Sequence, residues 1–243
     1  MLFTDGNILT IQDLREHDNL VLDVASTEAI ELSSKLAVAQ RDLGYDLLSF
    51  LTGAGVGIDL SRVVVTNQLR DLLAAHTLAA VYRDAYNTHL DDRYLGRWKE
   101  FAKTSERGLM RLLANGIGIA AAPMPRAEAP VVETSDSGGM SEGSYSVQIL
   151  WQHLAGNVGE KSSPVLVDFA GGSIVVTPAR IPQNVAGWHV FIGSPDVADR
   201  QNPSLLSPTE LWTQAASLRS DLAGPEVSGP DYYVRNSGKI LRG

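Results

Sequence analysis

Cysteine is missing from all 243 residues, which excludes disulfides, thiolate metal sites and cysteine nucleophiles and leaves stability to packing or assembly. An excess of positive charge is missing too. Against 28 acidic residues stand 20 Lys and Arg, a formal net charge of −8, which argues against a surface built to neutralise nucleic-acid phosphates. No apolar run approaches the roughly 18 residues that a membrane span needs. The opening Met1-Leu2-Phe3-Thr4-Asp5-Gly6 has neither the basic nor the apolar region of a secretory leader, so the expectation is a protein that is cytosolic where it is made. No repeat of roughly 20–50 residues is visible, which argues against a solenoid or propeller. What is present is 44% hydrophobic content, enough for a real core in one large domain or two ordinary ones.

The first half carries helical periodicity. Ser26 and Thr27 with Glu28 behind them offer hydroxyl caps and an acid for the first turn, so a helix is expected to start near Ser26. Leu32, Leu36, Leu43, Leu47 and Leu51 fall on one stripe of it, and Gly53 ends it. Thr66 caps a second apolar run through Leu69, Leu73, His76, Ala80 and Tyr82 to about His89. Asp91 and Asp92 open a third helix with Tyr94, Trp98, Phe101, Leu109, Leu112 and Leu113 as its apolar residues, closed by Asn115-Gly116. Short connections predict antiparallel neighbours and an N-terminal helical bundle over 1–119.

Composition changes over 120–144, where three prolines and Thr134-Ser135-Asp136-Ser137-Gly138-Gly139 predict a linker. The period then switches to two. Tyr145, Val147, Ile149 and Trp151 alternate with Ser146, Gln148 and Leu150, and Val165–Phe169, Ser173–Thr177 and Gly187–Gly193 come next as short strands. A small β-sandwich over 145–206 is expected, with five strands rather than seven. Ser207 and Glu210 sit as a capping box for a short helix to Leu218, after which 219–243 read as an extended C-terminal arm. The fold class is therefore α+β and multidomain.

No catalytic, metal or cofactor site stands out. Gly139-Met140-Ser141-Glu142-Gly143 has the spacing of a nucleophile elbow, but that device needs a strand before the serine and a helix after it, and here a polar linker precedes and a strand comes after. Gly53-Ala54-Gly55-Val56-Gly57 lies after a helix without P-loop lysine, and reads as a helix end. Only His89 has adjacent carboxylates, Asp91 and Asp92, which serve better as the start of the next helix. Tyr94, Trp98 and Phe101 at helical spacing read as core. Trp188 beside His189 in a strand puts one of the two inward, and the expectation is Trp188.

In residues 1–116 the first helix with Ala25-Ser26-Thr27-Glu28-Ala29-Ile30, the second ending Ala79-Ala80-Val81-Tyr82-Arg83-Asp84-Ala85-Tyr86, and above all Asp91-Asp92-Arg93-Tyr94-Leu95-Gly96-Arg97-Trp98-Lys99-Glu100-Phe101 resemble the head-to-tail adaptor, or head-completion, proteins of tailed bacteriophages. The segments Tyr145–Trp151 and Pro182–Gly193 resemble strands of fibronectin type III-like (Ig-like) domains. The first resemblance implies a structural virion protein of the phage neck, assembled in the host cytoplasm, without cofactor or turnover. It implies a homo-oligomeric ring of about twelve copies seated on the portal protein, with a tail-side connector, stopper or tail terminator as the other partner and DNA only passing through the channel. The basic tail then supplies partner-binding residues, namely Tyr232, Tyr233, Arg235, Lys239, Ile240, Leu241 and Arg242. The competing expectation is a module that binds capsid or host glycan through exposed aromatics around Tyr145, Trp151 or Trp188, carried on helices that only oligomerise it.

Overall fold

The computed structural model describes residues 1–55, 57–235 and 240–242, with the backbone alone at His89 and 240–242. Helices occupy the N-terminal part and antiparallel sheets the rest, in the expected α+β arrangement. The chain forms two compact units, one of Phe3–Ala121 with Pro230–Gly243 and the other of Met1–Leu2 with Ala122–Gly229.

The helical unit begins with two short helices that periodicity did not reveal. Helix α1, Ile11–His17, has a reciprocal capping box between Thr10 and Asp13, and α2 spans Val21–Thr27. Ser26 therefore lies inside α2 and starts nothing. The chain breaks at Ala29, which takes a left-handed φ of 51°, and Glu31 caps the long α3, Leu32–Gly53, by accepting the Ser33 N–H. Glu28, expected in the first turn, is instead drawn inward to Tyr94 and Arg93. The leucine stripe behaves as expected: Leu32, Leu36, Leu43, Leu47 and Leu51 are all buried.

Thr66 caps α4, Asn67–His89, and Asp91 caps α5, Asp92–Asn115, as their sequences predict. The two are antiparallel, since Gln68 meets Asn115, His76 meets Ser105 and Tyr86 meets Trp98 along their length. Helix α4 is central, with α1, α2, α3 and α5 packed on it. It buries Leu69, Leu73, Leu78, Val81, Tyr82 and Ala85. A helix buried nearly all round carries little amphipathic signal.

After α5 the chain forms β1, Ile117–Ile119, which pairs antiparallel with β9, Tyr232–Val234, and β9 pairs in turn with β10, Ile240–Arg242. Gly118 is required here, because a Cβ would stand 2.9 Å from Pro230. The expected C-terminal arm is thus extended, but as strands on its own chain. Asp231 Oδ2 accepts the Ala121 N–H at 2.7 Å, and the Asp231 N–H donates to Ile119 O at 2.9 Å. The chain leaves the helical unit and re-enters it at neighbouring strands, so 122–229 is an insertion into that unit. The expected boundary at 119 lies two residues from this division, whereas those at 144 and 206 fall inside the inserted unit.

Replacing 122–229 with a short Gly-Ser linker is expected to leave a folded helical unit, because antiparallel neighbours stand only about 5 Å apart and strain neither end. Circular dichroism of the shortened chain should retain helix and a cooperative melt. A non-cooperative melt would contradict the insertion.

The inserted unit is an antiparallel sandwich. One sheet has the order β2-β5-β8, Val131–Met140, Gly172–Thr177 and Trp212–Gln214; the other has the order β4-β3-β6-β7, Val165–Phe169, Gly143–His153, Val185–Gly193 and Ala198–Arg200. Its core interleaves Val147, Ile149 and Trp151 of β3, Trp188, Val190 and Ile192 of β6, and Ile174 and Val176 of β5.

Three expectations are corrected in this unit. Residues 120–144 are no linker: they supply β2 and bury Met124, Ala127 and Met140, since an edge strand needs backbone partners from β5 more than apolar side chains. The strands number seven rather than five. Finally, the Ser207 N–H does donate to Glu210 and the Glu210 N–H to Ser207 O, but that turn stops and becomes β8, with Trp212 against the sandwich core.

Candidate functional site

Helix α4 is left uncovered along one line, His76, Ala79, Ala80 and Arg83, which recurs at the three- and four-residue spacing of a single helix face. Between α3 and α5 this line forms the floor of a groove of about 410 Å³. Val38, Asp42 and Asp46 of α3 form one wall, and Trp98, Ala102 and Leu109 of α5 the other. Its floor sets two alanines between His76 and Arg83, and its α3 rim carries Asp42 and Asp46 together with Lys35. Inside it His76 Nδ1 and Ser105 Oγ stand 3.2 Å apart. A hydroxyl beside an imidazole is the first half of a nucleophile and base pair. Ser105 sits in mid-helix, however, where neighbouring amides bond within the helix and cannot stabilise an oxyanion. The pair ties α4 to α5.

A second polar cluster fastens the short N-terminal helices to the bundle. Tyr82 donates its hydroxyl to buried Asp18 at 2.6 Å, and Tyr94 donates to Glu28 Oε1 at 2.8 Å beside Arg93 Nη2 at 3.0 Å. The Tyr82 ring stacks on Phe101 with centroids 5.7 Å apart. Burial first, and then the carboxylate partners, push both phenols above their ordinary value of 10.0. Stability from these neutral donors is fully present below pH 10 and lost as pH rises beyond it. Tyr82→Phe is expected to cost about 1–3 kcal/mol in urea unfolding, since a buried carboxylate loses a donor. An unchanged midpoint would show that the bond contributes nothing.

In the inserted unit β6 is buried on both faces. Trp188 faces the core, fully buried as expected, and its Nε1–H reaches Ser207 O at 3.0 Å. On the other face His189 lies buried with Nδ1 3.1 Å from Asn202 Nδ2. Burial first, then the Arg200 guanidinium, lower its imidazole below the ordinary 6.5, and the Asn202 contact opposes them. The unfolded chain takes up a proton below that value more readily than the folded one, so this stability is present above pH 6.5 and lost as pH falls through the lowered folded value. The sandwich should melt at a lower temperature in mild acid than at neutral pH, and His189→Gln should flatten that difference. An equal acid slope in both proteins would count against His189.

The remaining sequence candidates are spread apart. Ser141 occupies a two-residue turn with β2 before it and β3 after it. Gly53 ends α3, Gly55 and Gly57 take left-handed φ values of 70° and 59°, and Val56 lies outside the described residues. The His89 side chain lies outside them too, while Asp91 caps α5. Among the described residues no three of His, Asp and Glu gather as metal ligands, and no helix is long and apolar enough to cross a membrane. Tyr94 is buried, with Trp98 and Phe101 half-buried. Trp151 is buried and Tyr145 half-buried, so neither Trp151 nor Trp188 offers the exposed aromatic platform of a glycan site. Tyr232 and Tyr233 are half-buried in β9, and Arg235 Nε donates to Asn115 O at 2.8 Å. Lys239 lies outside the described residues, and Ile240, Leu241 and Arg242 are placed in β10 by backbone alone.

Two features escaped the sequence reading. One is the groove. The other is the outward face of α5, where exposed Lys99, Lys103, Arg107 and Arg111 succeed one another at four-residue intervals. That interval was visible in the sequence. Neither a family model nor a curated protein matches the sequence.

Proposed function

We propose that this chain is a structural protein of a tailed-phage neck, a head-to-tail adaptor that works through interfaces rather than turnover. The observation that carries the reading is the insertion of a self-contained β-sandwich into a helical body through two adjacent chain crossings. Such a layout gives one body for ring assembly and a separate module for a different neighbour. The resemblance of 1–116 to phage adaptors supports the same division of labour. In this reading the helical body forms a ring of about twelve copies on the portal protein. The sandwich meets a tail-side connector, stopper or tail terminator, and DNA only passes through the channel. Its place is the virion neck, after assembly in the host cytoplasm, and it takes no cofactor.

Incubating the protein with the portal protein of its own genome and imaging the mixture by negative-stain electron microscopy tests this. Added ring density at one end of the portal is the expected result. Portal particles unchanged by the protein would overturn the reading.

A further inference from the structure

The helical unit displays a basic ridge on α5 and an exposed pair of aspartates on α3, where Lys35 on the same face is already paired with Asp84. Helix α5 holds six cations, Arg93, Arg97, Lys99, Lys103, Arg107 and Arg111, against three acids, Asp92, Glu100 and Glu106, in a chain whose net charge is −8. Four of these cations form the exposed ridge from Lys99 to Arg111, which at the helical rise spans roughly 18 Å. Met110 stands beside the ridge, 57% exposed. On α3 the residues Val38, Asp42, Tyr45 and Asp46 recur at the spacing of a single helix face, and all four are exposed. Tyr45 is 64% exposed. Among the described residues none of Asp42, Asp46, Lys99, Lys103, Arg107 and Arg111 enters an ion pair within the chain.

We infer that the α5 ridge of one copy docks on the acidic α3 face of the next, Lys103 and Arg107 opposite Asp42 and Asp46. Both pairs are four residues apart, so about 6 Å separates the charges on each helix and the two sets match in register. Exposed Val38, Tyr45 and Met110 supply the apolar area that charge pairs alone lack. In a ring the contact is heterologous, with α5 of each copy on α3 of the next rather than reciprocal between two copies, and so it propagates from copy to copy. A polyanion is the poorer occupant for the ridge, because the net charge of −8 repels it, whereas the acidic partner surface is present on every copy. The inference rests on the ring reading of the function for its closure, and names the surface that makes the ring.

Light scattering of the full-length protein over a range of concentration and salt tests it, with circular dichroism to check folding. Wild type should self-associate, and salt should weaken the association. Lys103→Glu with Arg107→Glu, and separately Asp42→Lys with Asp46→Lys, should each weaken self-association by more than about tenfold. Mixed in equal amounts the two double variants should assemble again, since each reversed face then meets its complement. Folded variants that assemble as wild type, or a mixture that stays dissociated, overturn the proposed surface while the ring reading stands. A wild-type chain that is monomeric at every concentration overturns the surface as well, and the portal experiment then decides the ring reading separately. Duplex DNA binding that disappears in the Lys103→Glu, Arg107→Glu protein while oligomeric mass is unchanged assigns the ridge to nucleic acid and overturns the inference.

Discussion

Ending the chain after Gly229 is expected to unfold the helical unit, although every helix remains in the sequence. The deletion removes β9 and β10 and leaves β1 as a bare edge. Buried Val234 is lost, and Ile117 and Ile119, 1% and 0% exposed, lose their cover. Burial of an aliphatic side chain contributes about 1.5–3 kcal/mol, and each lost hydrogen bond about 1 kcal/mol. Asp231 to Ala121, Asp231 to Ile119 and Arg235 to Asn115 all go. A loss of roughly 5 kcal/mol equals the whole stability of a marginal domain. Helical dichroism should melt without cooperativity or below ambient temperature, while the sandwich keeps its own transition. A truncated protein whose helices melt as in the full chain would mean that the strands are decoration.

Trp188→Ala should have the next largest effect, about 3–5 kcal/mol, concentrated in the sandwich. Trp188 is 0% exposed, pairs across the ladder with buried Trp151, and donates its indole N–H to Ser207 O. Truncation empties the centre of the core and removes one of the two donors to that carbonyl, the other being the Glu210 N–H. The sandwich transition in guanidinium should shift strongly, with the helical transition unmoved because the two units fold around separate cores. A loss below about 1 kcal/mol would show that Trp188 does not anchor the core.

Local chemistry made α4 and α5 legible in the sequence: Thr66 and Asp91 cap them, and both caps act as their side chains predict. The same logic failed at Ser26 and at Ser207. A cap satisfies only the first amides of a helix, and the residues beyond it decide whether the turn continues. After Ser207 the chain gains more by pairing Trp212–Gln214 with β5 than by extending the turn. Strand β2 was illegible because its side chains are mostly exposed and only its backbone is engaged. The pairing of Ile117 with Val234 has no local signature at all, since two three-residue strands lie more than a hundred positions apart. For that reason the C-terminal residues read as a free arm and the insertion went unseen. The α3 and α5 faces were written in the sequence at four-residue intervals, but burial was needed to show that they remain uncovered.

The claim that this chain works by assembling is tested most directly by native mass spectrometry of the full-length protein, alone and after mixing with its portal. The account expects a closed oligomer of one fixed copy number, near twelve, with no ladder of open chains. A single-subunit mass under both conditions would contradict it.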